Sequence, residues 1–258
     1  LTDRRWSLVH LVLTAGLIIW SGVANSGAIF DQSVGAVSAM TANAFTPATW
    51  AFAIWGPIYL ALLVMAGFGV RRAFSDDRSS EFVRQLGAPF AVAQIACSVW
   101  LAVWLLEAVA ASFATMTVLL ACLYLCIRRL RMELWDAPWS IIALVWWPMS
   151  LYFGWITAAW VANLSSLLVW LDFAVPQSAG WAIGAAVGLT ALHLALIHRR
   201  NMRECALVAV WAIVAVGARH WDAPFESSIF WGTSLCAGIL LVAIARHGAR
   251  NFTPPPRW

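Results

Sequence analysis

Phe45-Thr46-Pro47-Ala48-Thr49-Trp50-Ala51-Phe52-Ala53-Ile54-Trp55-Gly56-Pro57-Ile58-Tyr59 is the stretch whose reading decides the fold. It continues without a charged side chain as far as Arg71. An uncharged apolar run of this length reads as a membrane-crossing helix, which needs about 20 residues to traverse the hydrocarbon. Pro47 opens the helix where no backbone donor is required. Pro57 lies inside it, so the carbonyl near Ala53 is expected to lose its partner and the helix to kink. Trp55 and Tyr59 are four residues apart and share a face, with Trp50 and Phe52 in the turns before them.

The whole chain repeats that character. Of its 258 residues, 62% are hydrophobic and 11% are charged, against about 45–50% and about 25% in a soluble domain. Its mean hydropathy is +0.80. A soluble fold of this size cannot hide so much apolar surface, which excludes a water-soluble enzyme, a nucleic-acid-binding domain and a disordered regulator. Apolar runs of helical length fall at 7–24, 48–70, 87–106, 110–127, 139–164, 179–197, 205–218 and 228–245. The expected fold is therefore all-α: a polytopic transmembrane bundle of about eight helices. The seventh run is short, and reads as either tilted among its neighbours or interfacial.

The charges between the runs alternate. Arg4 and Arg5; Arg71, Arg72, Arg78 and Arg84; Arg128, Arg129 and Arg131; Arg199, Arg200 and Arg203; and Arg246, Arg250 and Arg257 occupy every second gap. The other gaps hold Asp31, Glu107, Asp172, Asp222 and Glu226, with Arg219 alone. By the positive-inside rule both termini are expected in the cytoplasm, in a bacterial inner membrane, and the first helix is expected to be retained rather than cleaved. The formal charge of +4 is then a topology signal, and no nucleic-acid partner is implied. The chain has no Lys, which reads as codon bias.

The aromatic pattern of the second run resembles the TspO/MBR family, the tryptophan-rich sensory or translocator proteins. That family's second helix has a Pro-rich entry, a Phe and then Trp-x-x-x-Tyr, matched here by Pro47, Phe52, Trp55 and Tyr59. Its fifth helix carries Pro-Tyr-x-x-Trp and an Asn eight residues on; Tyr152, Trp155 and Asn163 match, with Leu151 in place of the Pro and Pro148 earlier. Leu167 stands where a Trp is expected four residues after Asn163. In the third helix Gln94 and Trp100 remain at a spacing one residue short, and Cys97 replaces an Asn. The resemblance covers about residues 5–172. It implies a five-helix core, often dimeric, enclosing a pocket for a tetrapyrrole such as a porphyrin or haem, or a similar flat hydrophobic ligand.

The residues it assigns to that pocket are Trp50, Phe52, Trp55, Tyr59, Cys97, Trp100, Tyr152, Trp155 and Asn163, and Cys97 implies an altered ligand preference. Stacking on Trp and Tyr suits a planar guest at about 0.5–1.5 kcal/mol per aromatic pair. The competing account of the same rings is plain packing. Trp6, Trp20, Trp135, Trp139, Trp181, Trp221 and Trp231 lie near run ends and suit interface anchoring. The tetrapyrrole is expected as a ligand, not an obligatory cofactor. The role implied is sensory or regulatory, or trafficking of the ligand.

Three further helices follow the core. The organisation expected is 1–172 as the five-helix core, 173–250 as additional helices and 251–258 as a mobile Pro-rich tail. Gly180, Gly184 and Gly188 share one face of the sixth run, a small-residue stripe by which membrane helices pack closely. That stripe motivates an alternative: an accessory subunit set against a larger membrane complex, such as a pigment–protein assembly.

Other candidates have simpler accounts. His10 and His193 lie within runs, and no His-x-x-x-His pair gives a metal a second ligand, so each reads as a hydrogen-bonded packing residue. The segment Arg219-His220-Trp221-Asp222-Ala223-Pro224-Phe225-Glu226 reads as a solvated loop, as does Glu107 at a short connection. The five Cys form no CxxC pair and suit buried packing. No phosphate loop, Gly-x-Ser-x-Gly or zinc signature occurs. No residue is assigned a catalytic or metal-binding role.

Overall fold

The computed structural model describes residues 2–75, 79–222 and 227–252, the last three without their side chains. The expectations for Asp76, Asp77 and Arg78, for Ala223 to Glu226, and for the tail from Thr253 lie outside the described residues, as does the side chain of Arg250.

Among the described residues there is no strand. We number the helices α1 (Asp3–Asn25), α2 (Val34–Met40), α3 (Trp55–Ala73), α4 (Glu81–Leu105) and α5 (Val109–Arg129). There follow α6 (Trp139–Trp170), α7 (Ala179–Arg200), α8 (Arg203–Arg219) and α9 (Ser228–Phe252). Seven of the described helices are long and apolar enough to cross a membrane. The chain is an integral membrane helical bundle.

Five helices form a closed ring. α1 packs on α3 and α4, α4 on α5, α5 on α6, and α6 returns to α3. α8 packs against α6, and α9 and α7 pack against α8 and each other. The seventh apolar run is thus neither surface-bound nor independent. α8 has 17 residues, about 25 Å of helix, and buries Ala206, Ala209, Ile213 and Val216 among its neighbours. Gly154 makes its approach to α6 feasible: a Cβ there would sit 2.7 Å from the Cys205 carbonyl oxygen.

Helix ends follow local chemistry. Ser33 caps α2 and Ser178 caps α7, each hydroxyl accepting from an orphan N–H of the first turn. Arg71 and Arg72, Arg128 and Arg129, and Arg199 and Arg200 occupy the last turns of α3, α5 and α7, where cations complement the helix dipole.

Three irregularities differ from the sequence expectation. Pro57 does not kink a continuous α-helix: Thr49–Ile54 is a 3₁₀ turn and α3 begins at Trp55. Pro57 therefore falls in a first turn, where its missing N–H costs little. α4 starts before Gly87 and is broken there, with φ 42° and ψ −137°. The carbonyl freed at Gly87 lies 2.9 Å from His10 Nε2, so His10 is a packing and hydrogen-bonding residue, stacked on Trp6. Pro148 follows a π-helical turn at Ile142–Trp146, which absorbs the lost backbone bond.

Candidate functional site

The rings of α3, α4 and α6 point inward and meet. Trp55 stacks on Tyr59 with centroids 5.1 Å apart. It lies 6.2 Å from Trp100, 6.2 Å from Tyr152 and 6.3 Å from Trp155. Phe52 stands edge-on to Trp155 at 5.9 Å, and Trp100 stacks on Trp104 at 6.1 Å. These positions follow from helical spacing: Trp55 and Tyr59, and Trp100 and Trp104, are each one turn apart on one face.

A small chamber lies at one end of this cluster. Phe52, Trp100, Trp104, Trp155 and Asn163 line it, with Ser38, Phe45 and Thr46 from the α2 region and Ala212 and Val216 from α8. Its volume is about 30 Å³, room for a water molecule or two. Trp55, Tyr59, Cys97 and Tyr152 form the packed layer beside it rather than its lining. Cys97 lies close enough to interact with both tyrosines, and the buried Tyr152 hydroxyl has no well-formed hydrogen bond.

Asn163 is the polar centre. Its Oδ1 accepts from Trp100 Nε1 at 3.1 Å and from Ser112 Oγ at 2.5 Å, and its Nδ2 donates to the Ala159 carbonyl at 3.0 Å. One side chain therefore ties α4, α5 and α6 together at the chamber wall.

Trp50 is apart from the others. It is 45% exposed and stands edge-on to Trp211 of α8 at 4.8 Å. The 3₁₀ turn moves it off the face that Trp55 and Tyr59 share. Trp104, by contrast, lines the chamber and was absent from the expected set; its spacing of four from Trp100 was the available signal. Its Nε1 donates to the Val34 carbonyl at 3.2 Å, pinning α2 over the chamber.

The segment 48–51 is also stitched to α8. Ala48 N donates to the Ala215 carbonyl at 2.9 Å, and Trp211 Nε1 to the Ala51 carbonyl at 3.0 Å. The chamber is thus shared between the five-helix ring and α8.

The glycine stripe lies elsewhere. No neighbouring atom lies within 4 Å of a Cβ built at Gly184 or Gly188, and only the Ser178 hydroxyl approaches one at Gly180. The stripe borders a groove of about 530 Å³ beside Trp160 and Trp181. Among the described residues, no group of three or more His, Cys, Asp and Glu side chains is placed to hold a metal ion. His193 Nδ1 lies 2.8 Å from the Leu189 carbonyl one turn earlier.

No curated protein and no solved structure matches the chain. The model of the family described as TSPO-like protein matches residues 7–246, and that length takes in the aromatic cluster, the chamber wall and most of α9. A match over nearly the whole sequence, on a helical membrane bundle with Trp55, Tyr59, Trp100, Tyr152 and Trp155 gathered at its centre, makes this chain a member of the TSPO-like family.

Proposed function

We propose that the protein binds a tetrapyrrole, or a similar flat hydrophobic ligand, between the aromatic rings of α3, α4 and α6, with a sensory or trafficking role. The convergence of Phe52, Trp55, Trp100 and Trp155 from three helices carries this reading. Flat rings gain by stacking there, and Asn163 offers a polar fix for orientation.

A ligand of that class needs a pocket of about 300 Å³ or more, so a wall of the chamber must move to admit it. The wall best suited is residues 34–47, a seven-residue helix and an irregular strap. Asn25 Oδ1 and Trp104 Nε1 hold this wall at Val34. Titrating protoporphyrin into the protein in nanodiscs should quench Trp fluorescence with a Kd of about 1 µM or tighter. Amide exchange at 34–47 should change on binding. Trp155→Leu should weaken binding about three- to tenfold, the worth of one aromatic pair. Folded protein that shows no quenching, or affinity unchanged in the variant, refutes this reading.

In the same reading the Arg-rich gaps, and with them both termini, face the cytoplasm of a bacterial inner membrane. Reporters fused to either end test this; activity on the outer side refutes it.

A second reading has its own observation. Among the described residues, no other helix comes within 4 Å of a Cβ built at Gly180, Gly184 or Gly188, and such faces receive partner helices in membranes. An accessory subunit, or a homodimer, would use it. Native mass spectrometry should then show a complex that Gly184→Leu dissociates while leaving the monomer's melting point in place. A clean monomer in lipid argues against it.

A further inference from the structure

α7 and α9 meet at two levels and leave a gap between them. A Cβ built at Gly232 would lie 2.8 Å from the Ile183 side chain, and the rings of His198 and His247 have centroids 6.3 Å apart. Between these contacts, no neighbouring atom among the described residues lies within 4 Å of a Cβ built at Gly238. The gap is a groove of about 600 Å³, walled by Leu194 of α7 and by Leu235, Ile239 and Val242 of α9. Leu235 is 67% exposed and Val242 54%, so in a membrane bundle the groove opens on hydrocarbon. His198, Arg246 and His247 line its Arg-rich end.

Length and charge identify the occupant. From Ser234 to His247 the helix rises about 20 Å, and one leaflet supplies half of a hydrocarbon core about 30 Å thick. The groove therefore spans one leaflet and its head-group level, the reach of a lipid chain rather than of a membrane-crossing helix. Among the described residues no Asp or Glu lines it. At the same end of the bundle, Glu133 accepts from Asn201 Nδ2 at 2.9 Å and interacts with Arg203 and Glu204, away from this lining. Arg246 is exposed and lies more than a turn before Phe252, the last described residue of α9, beyond the last turn in which a cation complements the helix dipole. Its charge selects an anion, and the His198 ring adds an N–H donor in either charge state.

We infer that this groove holds one anionic phospholipid, with an acyl chain along Leu194, Ile239 and Val242 and the phosphate accepting from Arg246 and His198. The site is independent of the chamber and of the glycine stripe, since it shares no lining residue with either.

The test is native mass spectrometry of the full chain released from nanodiscs of dioleoylphosphatidylglycerol and dioleoylphosphatidylcholine in equal parts. A single phosphatidylglycerol should stay on each chain, retained at least about fivefold over phosphatidylcholine, the worth of one Arg at the interface. Arg246→Gln should abolish that preference. Gly238→Leu keeps every charge and places its side chain in open space, so it should leave the melting point in place and lose the bound lipid. Arg199→Gln removes an exposed charge from the same end without touching the lining, and should keep the lipid. Equal retention of the two lipids, a bound lipid that survives Gly238→Leu, or the same loss in Arg199→Gln as in Arg246→Gln overturns the proposal. A dimer without bound lipid, dissociated by Gly238→Leu, gives the groove to a second copy of the chain and overturns it too.

Discussion

Asn163 couples two jobs at one atom. Its Oδ1 receives both the Trp100 indole and the Ser112 hydroxyl, so replacing it with Leu keeps the volume and orphans two donors. Each unmade bond costs about 1–3 kcal/mol in a buried site, and interhelical bonds in membranes fall at the low end. Ser112 opens α5 within its first turn and can turn back to a carbonyl of its own chain, whereas the Trp100 indole has no such alternative. Asn163→Leu should therefore destabilise the protein by about 1–2 kcal/mol in reversible unfolding. Asn163→Leu with Ser112→Ala should cost less than the sum of the two singles, because the second change removes a donor the first has stranded. Strict additivity would mean that the two side chains do not share that bond. The residue itself was legible from the family spacing. Its partner Ser112 was not, because a serine in an apolar run carries no signal of which helix it faces.

At the scale of elements, the spans announce themselves because hydrocarbon demands long uncharged runs and the gaps carry Arg. What the runs hide is where tertiary contact reshapes the backbone. Pro57 in a continuous apolar run reads as a kink. The 3₁₀ turn at Thr49–Ile54 places it in a first turn instead and swings Trp50 toward Trp211. α2 is seven residues long, too short for a period to emerge. It exists because Trp104 holds its first carbonyl and Gly35 lets it lie on Thr49, where a Cβ would approach the Thr49 methyl to 2.7 Å. The glycines teach the same lesson. The regular stripe on α7 is open, while the isolated Gly154 is the point where α6 and α8 nearly touch. Regular spacing marks a face that can pack; it does not say what packs on it. The chamber wall at 34–47, which the proposed ligand would have to displace, is thus the part of the molecule least visible in hydropathy.

At the scale of the whole molecule, the question is whether the ring of five helices stands without α7, α8 and α9. Three observations say that it leans on them. Gly154 and its neighbours on α6 are buried against α8. The backbone at Ala48 and the carbonyl at Ala51 find their partners on α8, in Ala215 and the Trp211 indole. Ala212 and Val216 complete the chamber wall. A fragment ending at 172 would expose these small residues of α6 to lipid, which costs little hydrophobic energy, since acyl chains are as apolar as α8. It would also strand the Ala48 N–H, and an unmade backbone bond is expensive wherever water is scarce. The expected result is a fragment that inserts in the membrane but is disordered at 43–54, read as fast amide exchange there. It should also have lost the blue-shifted emission of its central tryptophans. Co-expression of 173–258 as a separate chain should restore both, because the two pieces meet through hydrogen bonds and close packing that need no covalent link. A 1–172 fragment that keeps slow exchange at 43–54 would show instead that α8 rests on a self-sufficient core.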